Sequence, residues 1–166
     1  GLSSKDVKID IQTNRCGRFA ALLIRDVKAV ESPQWLKSRI ESIGMRSIDL
    51  LVDLTNYVML EMNQPIHAYD ERDVSGKSFV IREAKDGEKF TTLDGIERVM
   101  KSGDVLICDD RRPIGVAGVM GGQNSEIKKD TTSMILEVAY FDANSVRATS
   151  KRLGMHTEAS HRFERG

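Results

Sequence analysis

Residues Ser78–Cys108 read SFVIREAKDGEKFTTLDGIERVMKSGDVLIC. Short runs at Ser78–Ile81, Glu88–Leu93, Ile96–Met100 and Val105–Cys108 are parted by turn signals such as Asp86-Gly87 and Asp94-Gly95, the mark of successive strands. Leu93-Asp94-Gly95-Ile96 reads as a tight hairpin, because glycine supplies the positive φ that hairpin turns require. Downstream, Arg112–Met120 and Met134–Tyr140 read as further strands, and Asp142 caps a last helix that carries Val146 and Leu153 and stops at Gly154.

Upstream the texture is helical. Ser32-Pro33 opens a helix, with serine as N-cap and proline at the first helical position. Leu36, Ile40 and Ile43 give it one apolar face, and Gly44 ends it. A second helix runs from about Ser47 to Met62, with apolar residues around most of its circumference, which predicts a buried helix. Phe19–Val30 (FAALLIRDVKAV) predicts a strand, and Gly1–Asp10 is polar enough to read as a linker. Helices, then a strand-rich block of mixed or antiparallel sheet, then a C-terminal helix define an α+β fold. The chain contains neither internal repeats nor a low-complexity segment.

The 166 residues suffice for one domain with a real core. Lys plus Arg and Asp plus Glu both number 25, so the formal net charge is zero. That balance argues against strong autonomous binding of nucleic acid through its phosphates, though not against contact with one end of an RNA held elsewhere. Cys16 and Cys108 stand far apart without CxxC spacing, which suggests neither a disulfide framework nor a zinc site. Both read as small buried hydrophobes in a reducing compartment. No signal peptide or bilayer-length apolar run stands out, and the expected address is the cytoplasm.

Four clusters carry the functional signal. They are Thr55–Glu61 (TNYVMLE) followed by Gln64–Asp70 (QPIHAYD), Gly115–Gly122 (GVAGVMGG), Leu136–Phe141 (LEVAYF) and His156–Gly166 (HTEASHRFERG). Each has a plain structural explanation when taken alone. His67 after a helix-ending proline reads as a histidine that hydrogen-bonds a loop. The glycines do not form GxGxxG and no P-loop lysine follows, so they mark a tight turn or close packing. Glu137 in an apolar strand faces solvent by simple alternation. Arg162, Glu164 and Arg165 read as a solvated helix end.

Together, and with Ser32–Leu36 (SPQWL) and Val52–Tyr57 (VDLTNY), these clusters resemble the bacterial phenylalanyl-tRNA synthetase beta chain in the domain that carries its editing site. The resemblance runs from about Arg15 to Gly166, leaving 1–14 as a linker or N-terminal extension of the 15–166 editing domain. It implies a longer chain that continues past Gly166. Met62-Asn63 departs from the family's more usual apolar-Gly pair, which bears on the helix end rather than on the pocket.

The resemblance implies a hydrolase for tyrosine esterified to phenylalanine tRNA. A pocket shaped for phenylalanine cannot strongly reject an isostere that merely adds a hydroxyl, so a second site must recognise that hydroxyl. By resemblance, Glu137 and the backbone N–H of Gly118 take that role, with Gly121 lining the same pocket. His67, Asn56 and Thr157 fall on the family's hydrolytic positions, and Ala159 on the pocket wall. No Ser-His-Asp arrangement or metal cluster is evident, so the expected reaction is attack by a positioned water. No cofactor is expected in this segment, ATP and Mg²⁺ serving the alpha subunit of the whole synthetase. The implied partners are the 3′ end of the phenylalanine tRNA and the alpha subunit in an alpha2beta2 assembly, with no membrane. Two alternatives stay open: a free-standing relative that edits in trans, and a non-catalytic scaffold.

Overall fold

Alternating burial builds the central strands of the protein, a computed structural model that describes residues 2–3, 6–25, 30–62, 66–92, 94–121, 127–128 and 130–154. The strands are β1 (Leu2–Ser3), β2 (Lys8–Ile11), β3 (Cys16–Ile24), β4 (Ile66–Asp70), β5 (Ser78–Glu83) and β6 (Lys89–Thr91). They continue with β7 (Glu97–Val99), β8 (Val105–Cys108), β9 (Pro113–Val116), β10 (Met120–Gly121) and β11 (Met134–Phe141). The helices are α1 (Gln34–Ser42), α2 (Leu50–Met62) and α3 (Ala143–Leu153). The α+β class expected from the sequence is the class observed.

Along β11, Ile135, Glu137, Ala139 and Phe141 are buried on one face. β3 buries Phe19, Ala21 and Leu23 with the same period and pairs antiparallel with β11, Ala21 opposite Glu137. β4 pairs antiparallel with the other edge of β11, His67 opposite Glu137. With β1 this makes a four-stranded sheet of order β1-β3-β11-β4. A second sheet has the order β10-β9-β8-β5-β2, antiparallel except for the parallel pair β2–β5.

The sheets meet through aromatic side chains. Phe79 of β5 lies 5.3 Å from Phe19 and 5.5 Å from Tyr69, centroid to centroid. Leu23, Phe79, Ile81, Leu106 and Ile135 are completely buried in this core. Each such burial contributes roughly 1.5–3 kcal/mol.

Polar anchors fix the rest. Asp70, at the end of β4, accepts hydrogen bonds from Thr131 Oγ1 (2.6 Å) and Arg72 Nη2 (2.7 Å). Arg72 bridges on to Asp130 at 2.9 Å, and its guanidinium holds the Asp70 carboxyl down to about 2. The Glu71 N–H donates to the Ser133 carbonyl at 3.0 Å. These bonds tie the end of β4 to the start of β11 and so set the register of His67 against Glu137. The α3 helix is capped by Asp142, whose carboxylate accepts from the Ser145 N–H at 2.9 Å. It is held to the β block by Asp104, which accepts from Thr149 Oγ1 at 2.7 Å and pairs with Arg152.

Several expectations need correction. Ser32 is not a helix N-cap: the cap position is Pro33 with no side-chain bond, and Ser32 Oγ donates to Asp53 at 2.5 Å. The second helix starts at Leu50 rather than Ser47. Asp49 caps it by accepting from the Val52 N–H at 2.9 Å, while Ser47 Oγ and the Ile48 N–H donate to Asp53. Nor is it wholly buried, since much of its surface is only half-covered and Leu54 is exposed. Arg112–Met120 is not one strand, because residues 117–119 turn the chain between β9 and β10 with Gly118 at φ +71°. Lys8–Ile11, inside the stretch read as linker, is an edge strand.

The strand expected over Phe19–Val30 is β3, which starts at Cys16 and ends at Ile24, and Ile43 follows α1 as an exposed C-cap rather than completing its apolar face. Gly44, at φ +81°, ends α1 in a Schellman arrangement, with its N–H on the Glu41 carbonyl and the Met45 N–H on that of Ile40. β6 and β7 form the hairpin expected around Asp94-Gly95.

Candidate functional site

Glu137 and His67 are directly opposed residues of β11 and β4, so their side chains leave the sheet side by side on one face. Tyr69 stands two residues along β4 on the same face, opposite Ile135 and diagonal to Glu137. That face is the one packed on the second sheet, so Glu137 is only 5 % exposed. The expectation that alternation alone would turn Glu137 to solvent is therefore wrong. Alternation holds, but here the polar residue falls on the inward phase.

The buried carboxylate is hydrogen-bonded. The Tyr69 hydroxyl donates to Glu137 Oε2 at 2.5 Å, the short end of the range for a hydroxyl on a charged acceptor. The Tyr69 ring is fully buried, edge-on to the His67 ring with centroids 4.3 Å apart and planes at 65°. Part of His67 reaches the surface, yet its Nε2 is sealed from solvent and has no hydrogen-bond partner among the described residues. A neutral imidazole nitrogen in this position has the capacity for one further hydrogen bond.

Burial also sets the charges. It raises the Glu137 carboxyl to about 7, with the Tyr69 bond pulling the other way. It raises Tyr69 well above the ordinary phenol value, reinforced by the adjacent carboxylate, so Tyr69 keeps its proton and donates. It lowers His67 to about 4, leaving a neutral imidazole at neutral pH. Cys16 is pushed up to about 11, chiefly by burial and further by the Glu137 charge. Both cysteines are buried free thiols, as the sequence suggested.

Of the residues singled out in the sequence, the structure brings His67 and Glu137 together. Asn56 is half-buried on α2, a helix packed beside β4, and is not among the hydrogen-bond partners of either residue. Gly118 and Gly121 belong to the β9–β10 hairpin of the second sheet, Gly118 in its turn and Gly121 buried opposite Gly115. Thr157 and Ala159 lie outside the described residues. Tyr69 was overlooked in the sequence, although the spacing His67-x-Tyr69 already places both side chains on one face of a strand.

A groove of about 310 Å³ between α1 and α2 is lined by Arg39, Ser42, Ile43, Tyr57, Leu60 and Glu61 and contains none of these residues. The buried carboxylate and the imidazole beside it, not this groove, mark the candidate site. Among the described residues no group of three or more His, Cys, Asp or Glu side chains is placed to hold a metal ion. No described helix is long and apolar enough to cross a membrane.

Fold and site together define an α+β domain of two packed sheets with an acid, a phenol and an imidazole enclosed beside their interface. The profile of the B3/4 domain family matches residues 15–166, and the chain belongs to that family. It is 50% identical, over 99% of its length, to the phenylalanine–tRNA ligase beta subunit of Protochlamydia amoebophila. The corresponding subunit of Geobacter metallireducens is 50% identical over 91% of the chain. The chain spans only about a fifth of these relatives, 21% and 19% of their lengths. An N-terminal fragment of the phenylalanyl-tRNA synthetase beta subunit from Pyrococcus horikoshii shares the fold, with a TM-score of 0.58 and 11% identity over 92% of this chain and 50% of that one. The family resemblance read from the sequence motifs is therefore correct.

Proposed function

We propose that this domain is the editing module of a phenylalanine–tRNA ligase beta subunit and hydrolyses tyrosine wrongly esterified to phenylalanine tRNA. The observation that supports this most is the Glu137 carboxylate, enclosed and already accepting a phenol hydroxyl from Tyr69. A carboxylate has two oxygens and about four lone-pair directions, so one phenol does not exhaust it. Phenylalanine entering the same place would leave the remaining acceptor capacity dry and unpaired, which costs about 1–3 kcal/mol or more. Gly118, with Gly121 beside it, would form the facing wall, where a missing Cβ lets backbone approach a ring.

In the reaction a water oxygen attacks the ester carbonyl carbon. The tetrahedral intermediate collapses, the ribose oxygen leaves with a proton, and free tyrosine departs. His67 suits the task of orienting that water through Nε2. An imidazole whose conjugate acid is held at about 4 is a poor proton abstractor at neutral pH but a competent hydrogen-bond partner. Asn56 and Thr157 would supply hydrogen bonds to the water and the developing oxyanion, and Ala159 the pocket wall. The thiols of Cys16 and Cys108 are buried with their acidities suppressed, which disfavours a covalent intermediate. Water attack on an ester needs neither ATP nor Mg²⁺, which would serve the ligation site of an alpha subunit in an alpha2beta2 assembly. That assembly would hold the tRNA and deliver its 3′ end here.

The test uses the full beta chain assembled with its alpha partner. His67→Ala should slow deacylation of Tyr-tRNA by about tenfold to a thousandfold, the usual effect of losing one positioning group, and leave charging with phenylalanine unchanged. Deacylation by the variant at the wild-type rate removes His67 from the mechanism. The same Tyr69–Glu137 bond favours a second reading, in which the two residues form a structural clasp between β4 and β11. The two readings differ in the selectivity of Glu137 variants.

A further inference from the structure

We propose that Tyr69 is a positioning residue for recognition, a built-in phenol that keeps the Glu137 carboxylate ionised and aimed so that its remaining acceptor capacity meets the hydroxyl of the ligand. This inference rests on the hydrolytic reading above. Its ground is geometric. Tyr69 and His67 share one face of β4, Glu137 stands opposite His67, and the Tyr69 hydroxyl reaches diagonally across the strand pair to Oε2 at 2.5 Å. The ring cannot swing away easily, being fully buried between His67 at 4.3 Å and Phe79 at 5.5 Å.

The chemistry follows from burial. A carboxyl enclosed in an apolar core tends to take up a proton and so to lose acceptor strength; a fixed donor on the charged form opposes this. Among the described residues the titratable neighbours of Glu137 are few. From β4 they are Tyr69, which stays protonated, and His67, which stays neutral. From β3 comes Cys16, whose thiol also stays protonated. Phe79, which faces Tyr69 from the second sheet, is apolar. Among these groups only the Tyr69 hydroxyl favours the carboxylate over the acid.

Tyr69→Phe keeps the ring and removes the donor, so the test isolates the bond. In the assembled enzyme, Tyr69→Phe should move the acid limb of Tyr-tRNA deacylation to higher pH by about one pH unit, the equivalent of one hydrogen bond to a charged group. Deacylation should fall severalfold near pH 6.5 and recover toward the wild-type rate near pH 8.5, a pattern that damaged packing would not give. Infrared titration of the protonated carboxyl band, assigned by its loss in Glu137→Gln, should show the same displacement. In a Glu137→Gln background, Tyr69→Phe should change the Tyr-to-Phe deacylation ratio no further. A wild-type pH profile and an unmoved carboxyl band in Tyr69→Phe overturn the role of Tyr69 while leaving the hydrolytic reading intact. A wild-type enzyme that leaves Tyr-tRNA intact overturns both.

Discussion

At the scale of the residue, the decisive feature is a carboxylate placed where water cannot reach it. Glu137 is expected to discriminate rather than to catalyse. Glu137→Ala should slow clearance of Tyr-tRNA while making the site more tolerant of Phe-tRNA, because the penalty that a dry carboxylate imposes on the unhydroxylated ligand disappears. The Tyr-to-Phe deacylation ratio should fall by about tenfold or more. A clasp that served only to join β4 and β11 would lower both rates together and leave the ratio alone.

The same burial predicts a stability effect. The folded-state value of Glu137, about 7, lies above the ordinary 4.5. Its contribution is thus fully present below about pH 4.5 and lost as pH rises through 7. Glu137→Gln removes this dependence, so its thermal stability relative to wild type should improve between pH 5 and pH 8, by about 3 kcal/mol in total. His67, lowered to about 4, destabilises the fold as pH falls below 6.5, but it does so in both proteins and cancels in the comparison. Unfolding curves that shift in parallel across this range would show that burial does not raise the Glu137 carboxyl.

At the scale of the element, capping makes the clearest prediction. Asp142 accepts from both the N–H and the Oγ of Ser145, at 2.9 and 2.8 Å. Asp142→Ala should cost about 1 kcal/mol, lowering the melting temperature by roughly 2–4 °C. An unchanged melting temperature would mean that tertiary bonds such as Thr149 to Asp104 hold α3 without its cap.

What could be read in the sequence divides along the same line. Asp142 and the Asp94-Gly95 hairpin were legible because the residues that make those signals also complete them. Ser32 was not, because the acceptor for its hydroxyl, Asp53, lies 21 residues away in another helix. Lys8–Ile11 was invisible for a different reason. All four residues are exposed, and an edge strand joined through backbone hydrogen bonds needs no apolar period. The strand carrying Glu137 was found, but which face is inward depends on the second sheet, which sequence spacing does not specify. The motif resemblance supplied what alternation could not, by naming His67 and Glu137 together.

At the scale of the whole molecule, the charge balance limits how the domain meets RNA. With 25 basic and 25 acidic residues there is no surplus to hold a phosphate backbone, and much of the basic complement is spent internally. Arg72 pairs with Asp70 and Asp130, Arg82 with Glu88, Arg98 with Asp94 and Arg152 with Asp104. Binding that neutralises six to ten phosphates weakens by about a thousandfold to a hundred-thousandfold when salt rises from roughly 50 to 200 mM. This chain, offered tRNA on its own, should instead bind weakly and lose less than about tenfold over that range. Under the proposed function the ligand would be an aminoacyl end with one phenol hydroxyl, met by a single buried carboxylate, and such a contact would release few counterions. Measuring tRNA affinity of the chain across that salt range tests this directly. Tight binding with a steep salt dependence would mean that a basic face holds the phosphate backbone, and that the domain captures tRNA itself rather than receiving its 3′ end.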